Sequence, residues 1–259
     1  MTAVNTARLR VRSRAGAWIA VAYAVACYAS FVLVFAYAVV FLADADVPRT
    51  VDSGGPASGT LSAVVVDSLL LGVFALQHTV MARPAFKARW TRLVPAHVER
   101  ATFVLAASAS LALAFWQWRP IPAQVWSVHE PAARVALWAL SLLGWVWVLA
   151  MSGAIDHLDL FGVRQVVDRL RGVADRPSAF RLPLPYRFVR HPMMLGFFPA
   201  FLATPSMTAG HLLFATLGIA YIVVGIRFEE RDLVAELPEY AAYAATTPRL
   251  IPRRGPNRR

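Results

Sequence analysis

The chain has 259 residues, 58% hydrophobic and only 16% charged, and its mean hydropathy is +0.52. Soluble domains carry roughly 45–50% apolar residues, so this composition excludes an ordinary soluble enzyme and reads as an integral membrane protein. The net charge of +11 comes from basic residues in short loops and at both ends; they read as topology signals and lipid-headgroup contacts, which disfavours nucleic acid as a partner.

Charge-free apolar runs at about 17–42, 61–80, 101–118 and 132–152 each approach the ~20 residues that cross a ~30 Å hydrocarbon core, and predict four spanning helices. The first is too long for a signal-peptide core and has no small-residue cleavage site before a soluble domain, so it reads as a permanent span. The single cysteine, Cys27, lies inside it and can form neither an intramolecular disulfide nor a thiolate metal site. Residues 193–227 differ: "MMLGFFPAFLAT" and "TAGHLLFATLGIAYIVVGI" are shorter apolar segments separated by the turn-like "TPSMTAG".

Loop charges predict the orientation. Arg8, Arg10, Arg12 and Arg14 precede the first span, Asp44, Asp46 and Asp52 follow it, and Arg83, Lys87, Arg89 and Arg92 follow the second. Basic ends face the cytoplasm. The loop after the fourth span (Arg164, Arg169, Arg171, Arg176, Arg181, Arg187, Arg190) and the tail after 227 are both basic, so 193–227 must leave and return on one side. That parity predicts a hairpin bent at Pro199 and the Thr204-Pro205 turn, with both termini cytoplasmic. The predicted fold is a single all-α transmembrane domain, 1–259, of four spanning helices plus a C-terminal helical hairpin.

This topology brings distant polar residues to one level. Gln77 and His78 end the second span; Asp156, His157, Asp159 and Arg164 lie just beyond the fourth; His191 opens the hairpin and Glu229, Glu230 and Arg231 close it. Ionisable groups at membrane depth are costly and mark a functional site, here predicted to face the cytoplasm; headgroup contacts and helix ends are the plainer alternative. The sequence has no phosphate-cradling loop and no dinucleotide fingerprint. Its six histidines are dispersed, and no metal is expected.

"VRHPMMLGF", then "EERDLVAELPEYAAYAATTPRLIP" after a hairpin-sized apolar stretch, resembles the C-terminal signature of the isoprenylcysteine carboxyl methyltransferase and phospholipid methyltransferase superfamily. Two positions depart from the pattern: Met194 stands where an aromatic is usual, and Leu237-Pro238 where Phe-Gly is common. "LQHTVMARPAFKARW", "WQWRP", "DHLDLFGVRQ" and "YRFVRHPMMLGFFPAFLATPSMTAGHLLFA", together spanning about 65–252, are similar to the bacterial methanethiol S-methyltransferases. The resemblance implies an enzyme of the bacterial cell membrane that uses S-adenosylmethionine to convert a small volatile thiol, methanethiol, to dimethyl sulfide. It also implies a cofactor region over about 186–252, with Tyr186, Arg190, His191, Pro192, Leu195, Glu229, Glu230, Tyr240 and Tyr243 around the cofactor.

The chemistry of those side chains suits such a ligand. Glu230 or Glu229 can accept from ribose hydroxyls or an amino group, Arg190 can pair with a carboxylate, and the tyrosines can wall an adenine or form an interfacial belt. A thiol with a pKa near the ~8.5 of cysteine or higher needs a base, for which His78 and His157 are candidates, with Asp159 or Asp156 to orient the ring. Gln77, Trp145, Phe161 and Arg164 are the expected acceptor-pocket residues. A lipid or isoprenylcysteine-type methyltransferase, predicting a wide lateral opening, and a non-enzymatic membrane protein related to nitrite or nitric oxide metabolism stay open as alternatives.

Overall fold

A computed structural model describes residues 14–173 and 182–252. Arg8, Arg10, Arg12, Arg176 and Arg181, expected to report topology, lie outside the described residues. In chain order the elements are α1 (Arg14–Leu42), α2 (Thr60–Ala82), α3 (Pro84–Trp90), α4 (Ala96–Gln117), β1 (Gln124–Ser127), α5 (Pro131–Ile155), α6 (His157–Leu160) and α7 (Val163–Leu170). A 3-10 turn (Leu184–Arg187), α8 (Pro192–Leu202), β2 (Ser206–Thr208), α9 (Ala209–Glu236) and α10 (Pro238–Thr246) follow.

Helices α1, α2, α4, α5 and α9 are each long and apolar enough to cross a membrane. Between 17 and 33% of each apolar window is buried within the protein, so most of that surface, with Leu33, Leu61, Leu69 and Val135 exposed on it, must be covered by hydrocarbon. The chain is therefore an all-α integral membrane protein, with α8 and α9 as the hairpin. Its arms are unequal, 11 residues in α8 and 28 in α9. The second arm continues helically through "RFEERDLVAE" to Glu236, so Glu229 and Glu230 sit inside the helix instead of after it. Ion pairing makes this possible: Arg83 holds Asp232 at 2.8 Å and Arg190 holds Glu230 at 2.7 Å.

Helix α8 lies along α5, where Gly144 and Gly196 allow backbone contact. A Cβ on Gly196 would fall 2.7 Å from the Gly144 carbonyl, and one on Gly144 would fall 2.5 Å from the Gly196 carbonyl. Small residues at such a crossing let helices associate where lipid removes the hydrophobic drive. Ser141 adds a hydroxyl donated to the Ala200 carbonyl at 3.1 Å.

The two ends of the bundle differ in character. At one, β1 and β2 pair antiparallel with Trp126 opposite Met207, Trp118 Nε1 donates to the Val51 carbonyl at 3.0 Å, and the Thr208 hydroxyl donates to Asp52. Burial pushes the Asp52 carboxyl up, opposed by that hydroxyl. An aromatic core of Phe41, Phe115, Trp118, Phe201 and Phe214 packs behind this end. The other end carries α3, α6, α7, α10 and most of the basic side chains. Gly162, at φ +80°, turns the chain from α6 into α7 where a Cβ would meet the Ala101 backbone at 2.5 Å, so this turn demands glycine twice over.

Candidate active site

Glu230 is the hub of the basic end. It is 6% exposed, and a carboxylate so buried requires counter-charge. Arg190 Nε lies 2.7 Å from its Oε1, in ion-pair contact without hydrogen-bond alignment. His191 Nε2 is 3.1 Å from the same oxygen, and Arg249 Nε donates to Oε2 at 2.7 Å. The other nitrogen of His191, Nδ1, lies 3.6 Å from Glu229 Oε2, so one imidazole spans both adjacent carboxylates. Backbone pairing seats these groups: the Arg190 N–H donates to the Pro248 carbonyl at 2.9 Å and the His191 N–H to the Arg249 carbonyl at 3.0 Å. His191 is also the N-cap of α8, with Pro192 in the first turn, where proline needs no donor.

The tyrosines gather beside this hub. Tyr243 donates its hydroxyl to the Tyr186 carbonyl, and the Tyr240 and Tyr243 rings meet edge to face with centroids 5.6 Å apart. Burial pushes all three phenols up, with Glu229 adding to the effect at Tyr186 and Glu230 at Tyr240. They are therefore neutral donors throughout the physiological range. The Pro192 carbonyl accepts from Trp147 Nε1 at 2.7 Å, and Leu195 lines an open apolar groove of ≈ 250 Å³ with Leu140, Leu143, Gly144 and Trp147.

A second cluster forms where α5 ends. His157 has both ring nitrogens engaged, Nδ1 with the Ser152 hydroxyl at 2.8 Å and Nε2 with the Tyr28 hydroxyl at 2.8 Å. Ser152 spends its proton on the Leu149 carbonyl, so Nδ1 carries the ring proton and Nε2 accepts from Tyr28. Phe161 stacks on Phe31 at 3.9 Å. Arg164 pairs with Asp156 at 2.9 Å, and Asp159 with Arg100 at 3.3 Å. The "DHLD" carboxylates thus face arginines, and the imidazole faces hydroxyls.

His78 lies elsewhere, between α2, α4 and α9. Its Nδ1 meets the Tyr221 hydroxyl at 2.7 Å, and Phe74, Phe103 and Tyr221 surround the ring. Gln77 Oε1 accepts from Ser110 at 3.4 Å. Trp145, 5% exposed, is a core residue between Phe35, Phe197 and Phe201.

The structure thus brings together Tyr186, Arg190, His191, Glu229, Glu230, Tyr240 and Tyr243, and separately His157, Asp159, Phe161 and Arg164. It places Gln77 and His78 in a third group, linked to the first through α9, on which Tyr221 and Glu229 stand eight positions apart, about 12 Å along one helix face. Sequence reasoning missed Arg249, Tyr221 and Tyr28. Tyr221, Gly225 and Glu229 follow the four-residue spacing of one helix face, a signal that was available once α9 was read as continuous. Arg249 had no such signal, because only tertiary pairing separates it from the other basic residues of the tail.

Neither a protein-family model nor a solved structure matches the chain. Among curated proteins it is 51% identical to methanethiol S-methyltransferase of Mycobacterium tuberculosis, over 91% of this chain and 96% of that protein. It is 48% identical to methanethiol S-methyltransferase 2 of Bradyrhizobium diazoefficiens, over 89% of both chains. Nurim of Rattus norvegicus is a distant relative, 25% identical over 80% of this chain. Identity at this level over about nine-tenths of the chain means that it belongs to the methanethiol S-methyltransferase family.

Proposed function

We propose that the chain is an enzyme that methylates methanethiol to dimethyl sulfide with S-adenosylmethionine as donor, at the cytoplasmic face of a bacterial cell membrane. The observation that carries this reading, in a chain of this family, is the convergence of Arg190-His191, Glu229-Glu230 and the tyrosines on one buried ion cluster. The donor set suits the cofactor: Glu229, 47% exposed beside the buried hub, can accept from an ammonium or ribose hydroxyls, and Tyr186, Tyr240 and Tyr243 offer neutral aromatic surface for adenine. Arg190, His191 and Pro192 form the frame that orients these groups, and Leu195 closes its apolar side.

When bound, S-adenosylmethionine supplies an electrophilic methyl: a carbon–sulfur bond forms to the thiol sulfur as the sulfonium bond breaks, leaving dimethyl sulfide and S-adenosylhomocysteine. The chain must supply alignment, dryness and a destination for the thiol proton. His78 is the base in this reading. This role requires the tautomer in which Nδ1–H is donated to the Tyr221 hydroxyl, leaving the Nε2 lone pair for the acceptor within an aromatic surround suited to a small apolar thiol. His157 holds α5 and α6 to α1 through Tyr28, and Asp159, Phe161 and Arg164 belong to that support. The basic end, with α3 and α7, faces the cytoplasm under the positive-inside rule.

Membranes supplied with methyl-labelled S-adenosylmethionine and one of three acceptors test the reading. Label is expected in dimethyl sulfide with methanethiol. Transfer to an isoprenylcysteine or to phosphatidylethanolamine instead would assign the lipid-type activity.

A further inference from the structure

Two arginines touch Glu230, and they are not equivalent. The Arg190 side chain is 9% exposed; its Nε faces Glu230, its Nη1 donates to the Ala244 carbonyl and its backbone N–H to Pro248. It is consumed in holding α8, α9 and α10 together. The Arg249 side chain is 54% exposed and uses Nε alone, on Glu230 Oε2 at 2.7 Å. Among the described residues its two Nη groups meet no partner, and they carry four of the five guanidinium donors.

Arg249 is nonetheless fixed in place. Its carbonyl accepts from the His191 N–H at 3.0 Å, the preceding Pro248 carbonyl accepts from the Arg190 N–H at 2.9 Å, and the following Leu250 packs on the apolar core. A guanidinium tethered at Nε on a pinned backbone presents its Nη edge as a pre-organised fork for a carboxylate. Across the same hub, Glu229 is 47% exposed and touches His191 Nδ1 at 3.6 Å. An exposed cation and an exposed anion therefore flank one buried Glu230–His191 pair, which is the charge pattern of a receptor for a zwitterion.

We infer that Arg249, and not Arg190, receives the α-carboxylate of the cofactor's amino-acid tail, with Glu229 receiving its ammonium; this rests on the cofactor reading given above. The test is calorimetric titration of purified wild type, Arg249→Ala and Arg249→Lys with S-adenosylhomocysteine and with 5′-deoxy-5′-methylthioadenosine, which keeps the adenosine and thioether but lacks the amino acid. Arg249→Ala is expected to weaken S-adenosylhomocysteine by about 10- to 100-fold while leaving methylthioadenosine within about twofold. Arg249→Lys, which keeps the charge without the fork, falls between. Equal losses for both ligands, or no loss for S-adenosylhomocysteine, while wild type binds both, would overturn the inference alone. A wild type that binds neither ligand would overturn the cofactor reading and this inference with it.

Discussion

Glu230 sits between partners of very different exposure, so truncations around it have unequal consequences. Glu230→Ala strands Arg190, whose side chain is 9% exposed, and removing one member of a buried pair costs about 3–5 kcal/mol. A large fall in melting temperature is expected. Arg249→Ala, at a side chain 54% exposed, should cost no more than about 1 kcal/mol. Equal destabilisation by the two would contradict the hub as described. The phenols add a pH dependence with a defined sign. Tyr240 is held protonated by burial and by Glu230, so its contribution to stability is complete below about 10 and is lost as pH rises through its higher folded value. Tyr240→Phe should flatten that alkaline decline in melting temperature, and an unchanged decline would remove Tyr240 as its source. For His78→Ala, turnover should fall by roughly 10²–10⁴-fold with cofactor affinity intact, and the deficit should narrow at high pH as the thiol enters ionised. His157→Ala should instead lower stability, because both its nitrogens hold other elements. A pH-rescued loss in the His157 variant alone would exchange the two roles.

Among the elements, the α5–α8 contact carries the proposed cofactor frame. Gly196→Leu drives a side chain into space where even a Cβ lies 2.7 Å from the Gly144 carbonyl and 2.8 Å from Val148. Such overpacking typically costs about 1–3 kcal/mol. Because α8 begins at Pro192, beside His191, cofactor affinity should fall together with stability; full affinity in a destabilised variant would uncouple the helix contact from the site. The four spans were legible in the length of the apolar runs, and the hairpin in the basic residues on both its flanks and the prolines between them. The end of α9 was not: Arg227, Glu229, Glu230 and Arg231 interrupt the apolar run, and the partners of its carboxylates, Arg83, Arg190, His191 and Arg249, come from other parts of the chain. The β1–β2 ribbon was equally hidden, being three pairings between segments about 80 positions apart. Within the site, motif residues could be named, but roles could not. The motif marked Arg190 and left Arg249 unremarked, and their burial, 9% against 54% exposed, distinguishes the two.

For the whole molecule, the distribution of charge sets the expected orientation. Asp44, Asp46 and Asp52 lie at the ribbon end, while Arg83, Lys87, Arg89, Arg92, Arg164 and Arg169 lie at the end that carries the Glu230 hub. Four spans plus a hairpin return the chain to its starting side, so reporters placed before Arg8 and after Arg259 should both read cytoplasmic; a periplasmic C-terminus would contradict the shared face on which the site is built. Family membership and the convergence on Glu230 together support methyl transfer to a volatile thiol. Its most direct measurement is headspace gas chromatography with mass detection over membranes containing the protein, supplied with methanethiol and S-adenosylmethionine labelled in the methyl group. Wild type should release dimethyl sulfide carrying one labelled methyl, and Glu230→Ala should not; wild-type membranes that bind the donor yet release no labelled dimethyl sulfide would rule out thiol methylation.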